Sequence, residues 1–201
     1  MELNDALSQV AEIHRHLLRS EVYRGYRSPV MAVTSAVAFA AAALQSRLGY
    51  AATPADFVRF WLCVAAANLL LVSLDVALEY YPSLSTAQQR NARSVIAQFL
   101  PSLCAGAVVT WGAMQAGSAS MLPGVWCVLF SLGVFASRPY LPQGIGWVGL
   151  FYLLAGTLLL ALVPAGHALR PWDVGLAFGV GQAFLAGVLY WNLERSRRHE
   201  R

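Results

Sequence analysis

Few side chains in this sequence could do chemistry, and three of them share one face of one apolar run: Asn68, Asp75 and Glu79. At about 100° per residue, a step of seven falls roughly 20° short of two turns, and a step of eleven passes three turns by about the same angle. The three side chains therefore form one narrow stripe on a helix. Asn68 is expected near mid-membrane, Asp75 roughly 10 Å nearer the cytoplasm at ~1.5 Å rise per residue, and Glu79 at the inner interface. A carboxylate at the centre of a bilayer costs about 2.5–3.5 kcal/mol on insertion scales, so it must face a bundle interior, a wet cavity or a countercharge. Two readings follow. The stripe lines a polar pathway or ligand pocket open to the cytoplasm, or Asp75 and Glu79 pair with Arg90, Arg93 and Arg138 on the same side and fix the bundle.

The next apolar run answers the stripe with Gln98 and Ser102, one turn apart around Pro101. A proline within a helix frees a backbone carbonyl, and in a membrane such a carbonyl is tolerated where it meets a partner or a cavity. Gln182 adds a polar group to the last run. The candidate ligand or ion pathway is therefore Asn68, Asp75, Glu79, Gln98, Ser102 and Gln182.

Other chemistries are set aside by spacing. His14, His16, His167 and His199 all lie outside the apolar runs, so a bis-histidine haem in the bundle is not expected, and no metal site is assigned. Neither H-E-x-x-H, G-x-S-x-G nor a Walker sequence occurs. Gly144, Gly146 and Gly149 match G-x-G-x-x-G, but they open an apolar helix instead of following a strand, which rejects a nucleotide site. Cys63, Cys104 and Cys127 are odd in number, lack C-x-x-C and sit in apolar runs, as structural free thiols do. No cofactor and no catalytic residue is expected, and an enzyme is disfavoured.

The elements that must position these residues follow from composition. Of the 201 residues, 58% are hydrophobic and 12% charged, against roughly 25% charged in soluble domains. Six runs are long and apolar enough to cross a bilayer, about 29–47, 56–80, 94–116, 121–138, 145–163 and 171–192, most of them bracketed by proline. The expected fold is all-α: an integral membrane bundle of six transmembrane helices (29–192), preceded by an amphipathic helix and followed by a basic tail (193–201). Residues 1–28 carry Leu3, Leu7, Val10, Ile13, Leu17 and Leu18 at helical spacing between charges, with no cleavable signal peptide expected. Such a helix lies on the inner leaflet or recruits a partner.

All 14 basic residues are arginine. With both termini in the cytoplasm, eleven of them (Arg15, Arg19, Arg24, Arg27, Arg90, Arg93, Arg138, Arg195, Arg197, Arg198 and Arg201) lie inside, and only Arg47, Arg59 and Arg170 lie outside. The positive-inside rule selects this orientation in the cell (inner) membrane. Arginines flanking apolar helices answer to headgroups, so no nucleic-acid partner is expected.

Helix packing is expected at two small-residue stripes, Ala32, Ala36 and Ala40 in the first run and Gly175, Gly179, Ala183 and Gly187 in the sixth. Each has four-residue spacing, and the contact is favoured as internal over one between copies. Trp61, Trp111 and Trp126 gather toward the outer half, as interfacial anchors or, less favoured, an aromatic pocket. Two functions remain. One is binding or transport of a small solute or ion through the cavity lined from the second and third helices. The other is a non-catalytic scaffold or regulatory subunit that recruits a cytoplasmic partner, or a second copy, through residues 1–28 and the tail.

Overall fold

The computed structural model describes residues 28–49, 53–80, 86–142, 144–162 and 168–191. The amphipathic helix expected at 1–28, the basic tail 193–201 and three of the histidines, His14, His16 and His199, lie outside the described residues, as does His167. Among the described residues the chain is all-helical, and six helices are long and apolar enough to cross a membrane.

Helix α1 spans Ser28–Leu48 and ends at Gly49, whose φ of 64° is open to a residue without a Cβ. Helix α2 spans Pro54–Asp75. Thr53 caps it, accepting from the Asp56 amide at 3.1 Å while its hydroxyl donates to the Asp56 carboxylate at 2.6 Å, and Pro54 occupies the first turn where no amide donor is needed. Beyond Asp75 the chain continues as a π-helical turn, Val76–Tyr80.

Helix α3 spans Thr86–Gln115 with Pro101 inside it. It begins eight residues before the expected 94, because its first two turns are polar and hydropathy marks only the apolar part from Ala92 onward. It closes in a Schellman turn: Gly117, at φ 67°, donates to the Met114 carbonyl at 3.3 Å, and Ser118 donates to the Ala113 carbonyl at 2.9 Å. Helix α4 spans Leu122–Ser137 between two 3-10 turns, α5 spans Ile145–Leu162, and α6 spans Pro171–Leu189 with Pro171 in its first turn.

Packing proceeds from two helix pairs. In the first, α1 lies against α6: the Ser35 hydroxyl donates to the Gly179 carbonyl at 2.6 Å, and the Phe39 ring covers Gly179. A Cβ on Gly175 would overlap the Ala42 methyl. In the second, α4 lies against α5 at Gly124 and Gly156. A Cβ on Gly156 would stand 2.7 Å from the Gly124 carbonyl oxygen, and one on Gly124 would stand 2.9 Å from that of Gly156. Such mutual backbone approach is how helices gain dispersion contact where lipid tails supply no hydrophobic drive. An aromatic cluster joins the pairs, with Phe130 4.6 Å from Tyr152, 5.6 Å from Phe178 and 5.2 Å from Phe99 between ring centroids.

The small-residue stripes lie only in part on a contact within the chain. Gly175 and Gly179 make the internal contact, but Ala183 and Gly187 are exposed, as are Ala32, Ala36 and Ala40. A four-residue step on a 3.6-residue helix drifts about 40° each time, so three steps leave the contact face altogether. The buried face of α1 instead alternates threes and fours: Met31, Thr34, Ser35, Ala38, Ala41, Ala42 and Gln45.

Helix α2 is the outlier. Its buried residues are Phe57, Val58 and Trp61, all within its first two turns, where they join Ala41, Ala42, Leu122 and Val174. From there to its far end it presents Leu62, Leu69, Leu70, Leu74 and Leu78 outward. Among the described residues its only extensive neighbour is α1, and it does not pack along α3, the helix that follows it in sequence.

Candidate ligand cavity

The splay of α2 leaves a cavity of about 520 Å³ in the bundle. Its long walls come from α2 between Trp61 and Val72 and from α3 between Val95 and Thr110; α1, α4 and α6 close the rest. At ~1.5 Å per residue each long wall runs some 16–22 Å, most of the depth of a hydrocarbon core. The lining is overwhelmingly apolar, with Phe99, Phe130 and Phe178 forming an aromatic side. Among the described residues no acidic or basic side chain is part of it.

Three of the six pathway residues named from sequence line this cavity together: Asn68 from α2, Ser102 from α3 and Gln182 from α6. Of the other three, Gln98 and Asp75 do not line it. Gln98 is exposed; the lining face of α3, from Val95 to Thr110, centres on the direction of Phe99, and Gln98 lies about 100° round from Phe99, beyond Ser102 at the edge of that face. Asp75 is half-buried and stands one turn beyond Val72, the last residue of α2 to reach the cavity, at the junction with the π-helical turn. Glu79 lies within that turn, and its side chain is outside the described residues. Of the expected charge partners, Arg90 and Arg93 are exposed, and Arg138 is laid against the start of α5, where a Cβ on Gly146 would meet its Nε at 3.2 Å.

Most polar groups along the lining are satisfied from within the protein. The Trp61 indole donates to the Gln45 carboxamide oxygen at 2.8 Å, and the Trp126 indole to the Thr110 hydroxyl at 2.9 Å, which in turn donates to the Gly106 carbonyl at 2.6 Å. Ser137 donates to the Val95 carbonyl at 3.3 Å. Thr34 donates to the Met31 carbonyl at 2.8 Å and, at 3.4 Å, toward the Gln182 carboxamide oxygen. Asn68 differs: its carboxamide oxygen is sealed from solvent and no group among the described residues donates to it. A buried acceptor left in this state costs about 1–3 kcal/mol, so it marks a place where stability is given up.

Sequence reasoning missed Gln45, which is 1% exposed and orients Trp61. It also placed Trp61 and Trp126 chiefly as interfacial anchors. Both line the cavity, and Trp61 is 4% exposed, whereas Trp111 is 68% exposed and faces outward. A glutamine seven residues after Ala38, on the face that also holds Thr34, Ser35 and Ala41, is a signal that could have found Gln45.

The three cysteines are free thiols, Cys127 buried and Cys63 and Cys104 exposed. No family model, no curated protein and no solved structure matches this chain, so the cavity's own geometry is what any functional reading has to stand on.

Proposed function

We propose that this chain is a polytopic membrane protein with both termini in the cytoplasm, and that its central cavity binds a small, uncharged, mainly apolar molecule. The single observation that carries the reading is a long apolar cavity with Asn68 in its wall, whose carboxamide oxygen has no donor among the described residues. Apolar concavities with a few fixed polar groups are the usual form of small-molecule sites. Among the described residues no charged side chain lines the cavity, which argues against an ion path and narrows the ligand to a neutral one. The six apolar helices and the eleven-to-three division of arginines support the membrane placement and its orientation.

Native mass spectrometry of the full-length protein in mild detergent tests this reading. The expected spectrum carries a discrete added mass that is lost on heating, and a cavity-filling substitution, Gly106→Phe, abolishes it. A spectrum with the bare protein mass alone, before and after incubation with total membrane lipid extract, contradicts the reading and leaves a scaffold role.

A further inference from the structure

The route into the cavity can be read from the residues that both line it and are exposed. On α2 these are Leu62, Ala65, Ala66 and Leu69, and on α3 they are Leu103 and Ala107. Leu62, Leu69 and Leu103 are 47%, 55% and 41% exposed. All six are apolar, all lie in the middle of their helices, and all lie along the seam where α2 and α3 fail to pack. A mouth of this composition at this depth faces acyl chains when the helices span a bilayer, because polar residues would mark an opening to water.

On the wall stands Asn68, and its carboxamide oxygen, which has no donor among the described residues, is an acceptor that a turn of the side chain would present to the cavity. It requires a donor, and a charged donor would have to shed its hydration in a lining without countercharge. Resting on the binding role proposed above, we infer that the ligand is a bilayer-borne amphiphile bearing a neutral hydroxyl, that it enters sideways between α2 and α3, and that its O–H donates to the Asn68 carboxamide oxygen. The apolar body lies against Phe99, Phe130 and Phe178, and the head is read at Asn68, with Ser102 and Gln182 on the facing walls. Helix α2, fastened at Phe57, Val58 and Trp61, is the side of the seam that yields to admit it.

The test is a titration of the full-length protein in mild detergent, followed by native mass spectrometry, with 1-octadecanol and with its methyl ether, which keeps the chain and loses the donor. One hydrogen bond to a buried acceptor corresponds to about a tenfold difference in affinity. The wild-type protein is expected to bind the alcohol about tenfold more tightly than the ether. Asn68→Leu is expected to bring the alcohol down to the level of the ether and to leave the ether unchanged, which also certifies that the variant is folded. Ala66→Trp and Ala107→Trp, singly and together, are expected to slow uptake of both molecules at least tenfold with helix content by circular dichroism retained. Equal binding of alcohol and ether by the wild type, or a preference that survives Asn68→Leu, overturns the head-group assignment while leaving the binding role standing. Unslowed uptake in the folded tryptophan variants overturns the lateral route. Binding of neither molecule overturns the inference and the binding role together.

Discussion

At the scale of single residues, Asn68 shows how much a sequence can say and where it stops. A carboxamide in an apolar run is conspicuous, and so are Ser102 and Gln182; the structure brings the three to one cavity. Gln98 was equally conspicuous and sits outside, because polarity marks a residue but the rotation of its helix decides what it faces. Gln45 and Trp61 were not legible as a pair: their hydrogen bond joins α1 to α2 across a loop, and neither partner announces the other. Two expectations follow. In the ligand-free protein, Asn68→Leu removes an unsatisfied acceptor and should stabilise by about 1–3 kcal/mol, read as a rise in thermal midpoint of roughly 2–4 °C per kcal/mol for a chain of this size. A fall in the midpoint would mean that the oxygen has a donor. Trp61→Phe should do the reverse, since Gln45, whose amide nitrogen has no partner among the described residues, would lose the one side-chain bond it makes there. A loss of about 1–3 kcal/mol is expected, measured in the same thermal assay.

Elements were more legible than contacts. Prolines and hydropathy place all six helices, apart from the polar first turns of α3. What hydropathy cannot supply is the register of packing, since in lipid the driving contacts are close fits between small residues instead of burial of large ones. Four-residue repeats pointed at Ala32, Ala36 and Ala40, while the closest approach of backbone to backbone at a glycine is made by Gly124 and Gly156, single glycines on two different helices. Gly156→Ala is therefore expected to force α4 and α5 apart and cost about 1–3 kcal/mol, in the range of overpacking substitutions. Ala36→Leu should change stability by less than about 0.5 kcal/mol in a monomeric preparation. Urea or thermal unfolding in detergent compares the two. The loose attachment of α2 can be measured directly. Cys63 and Cys104 are exposed thiols on α2 and α3, and Cys127 is buried, so the two native cysteines can carry spin labels. Their distance distribution by pulsed EPR is expected to be broad in the apo protein and to narrow when 1-octadecanol is present, as a ligand fixes one arrangement of a two-state element. An unchanged, narrow distribution would show α2 to be rigid.

The whole molecule is a bundle fastened on one side and open on the other. The pairs α1 with α6 and α4 with α5 form its closed side, α3 packs on α4, and α2 hangs from α1 by its first two turns. Across a bilayer this asymmetry would have a direction. If both termini are cytoplasmic, the fastened end of α2 lies at the outer face, and the free end, with Asp75 and the π-helical turn, lies at the inner face. A sideways opening would then widen toward the inner leaflet. Orientation rests on arginine placement, which is a property of the entire chain: turning the molecule over would put eleven of its 14 arginines outside, against the bias that sets topology. It can be checked in intact cells with an impermeant maleimide, after Cys63, Cys104 and Cys127 are replaced by alanine. Ala168→Cys lies in the exposed segment just before α6 and should label from outside the cell. Arg90→Cys, near the start of α3, should label only after the membrane is permeabilised. The opposite pattern would invert the molecule and place the free end of α2 in the outer leaflet; labelling of both positions from one side would break the six-crossing architecture itself, because these two sites are separated by an odd number of crossings.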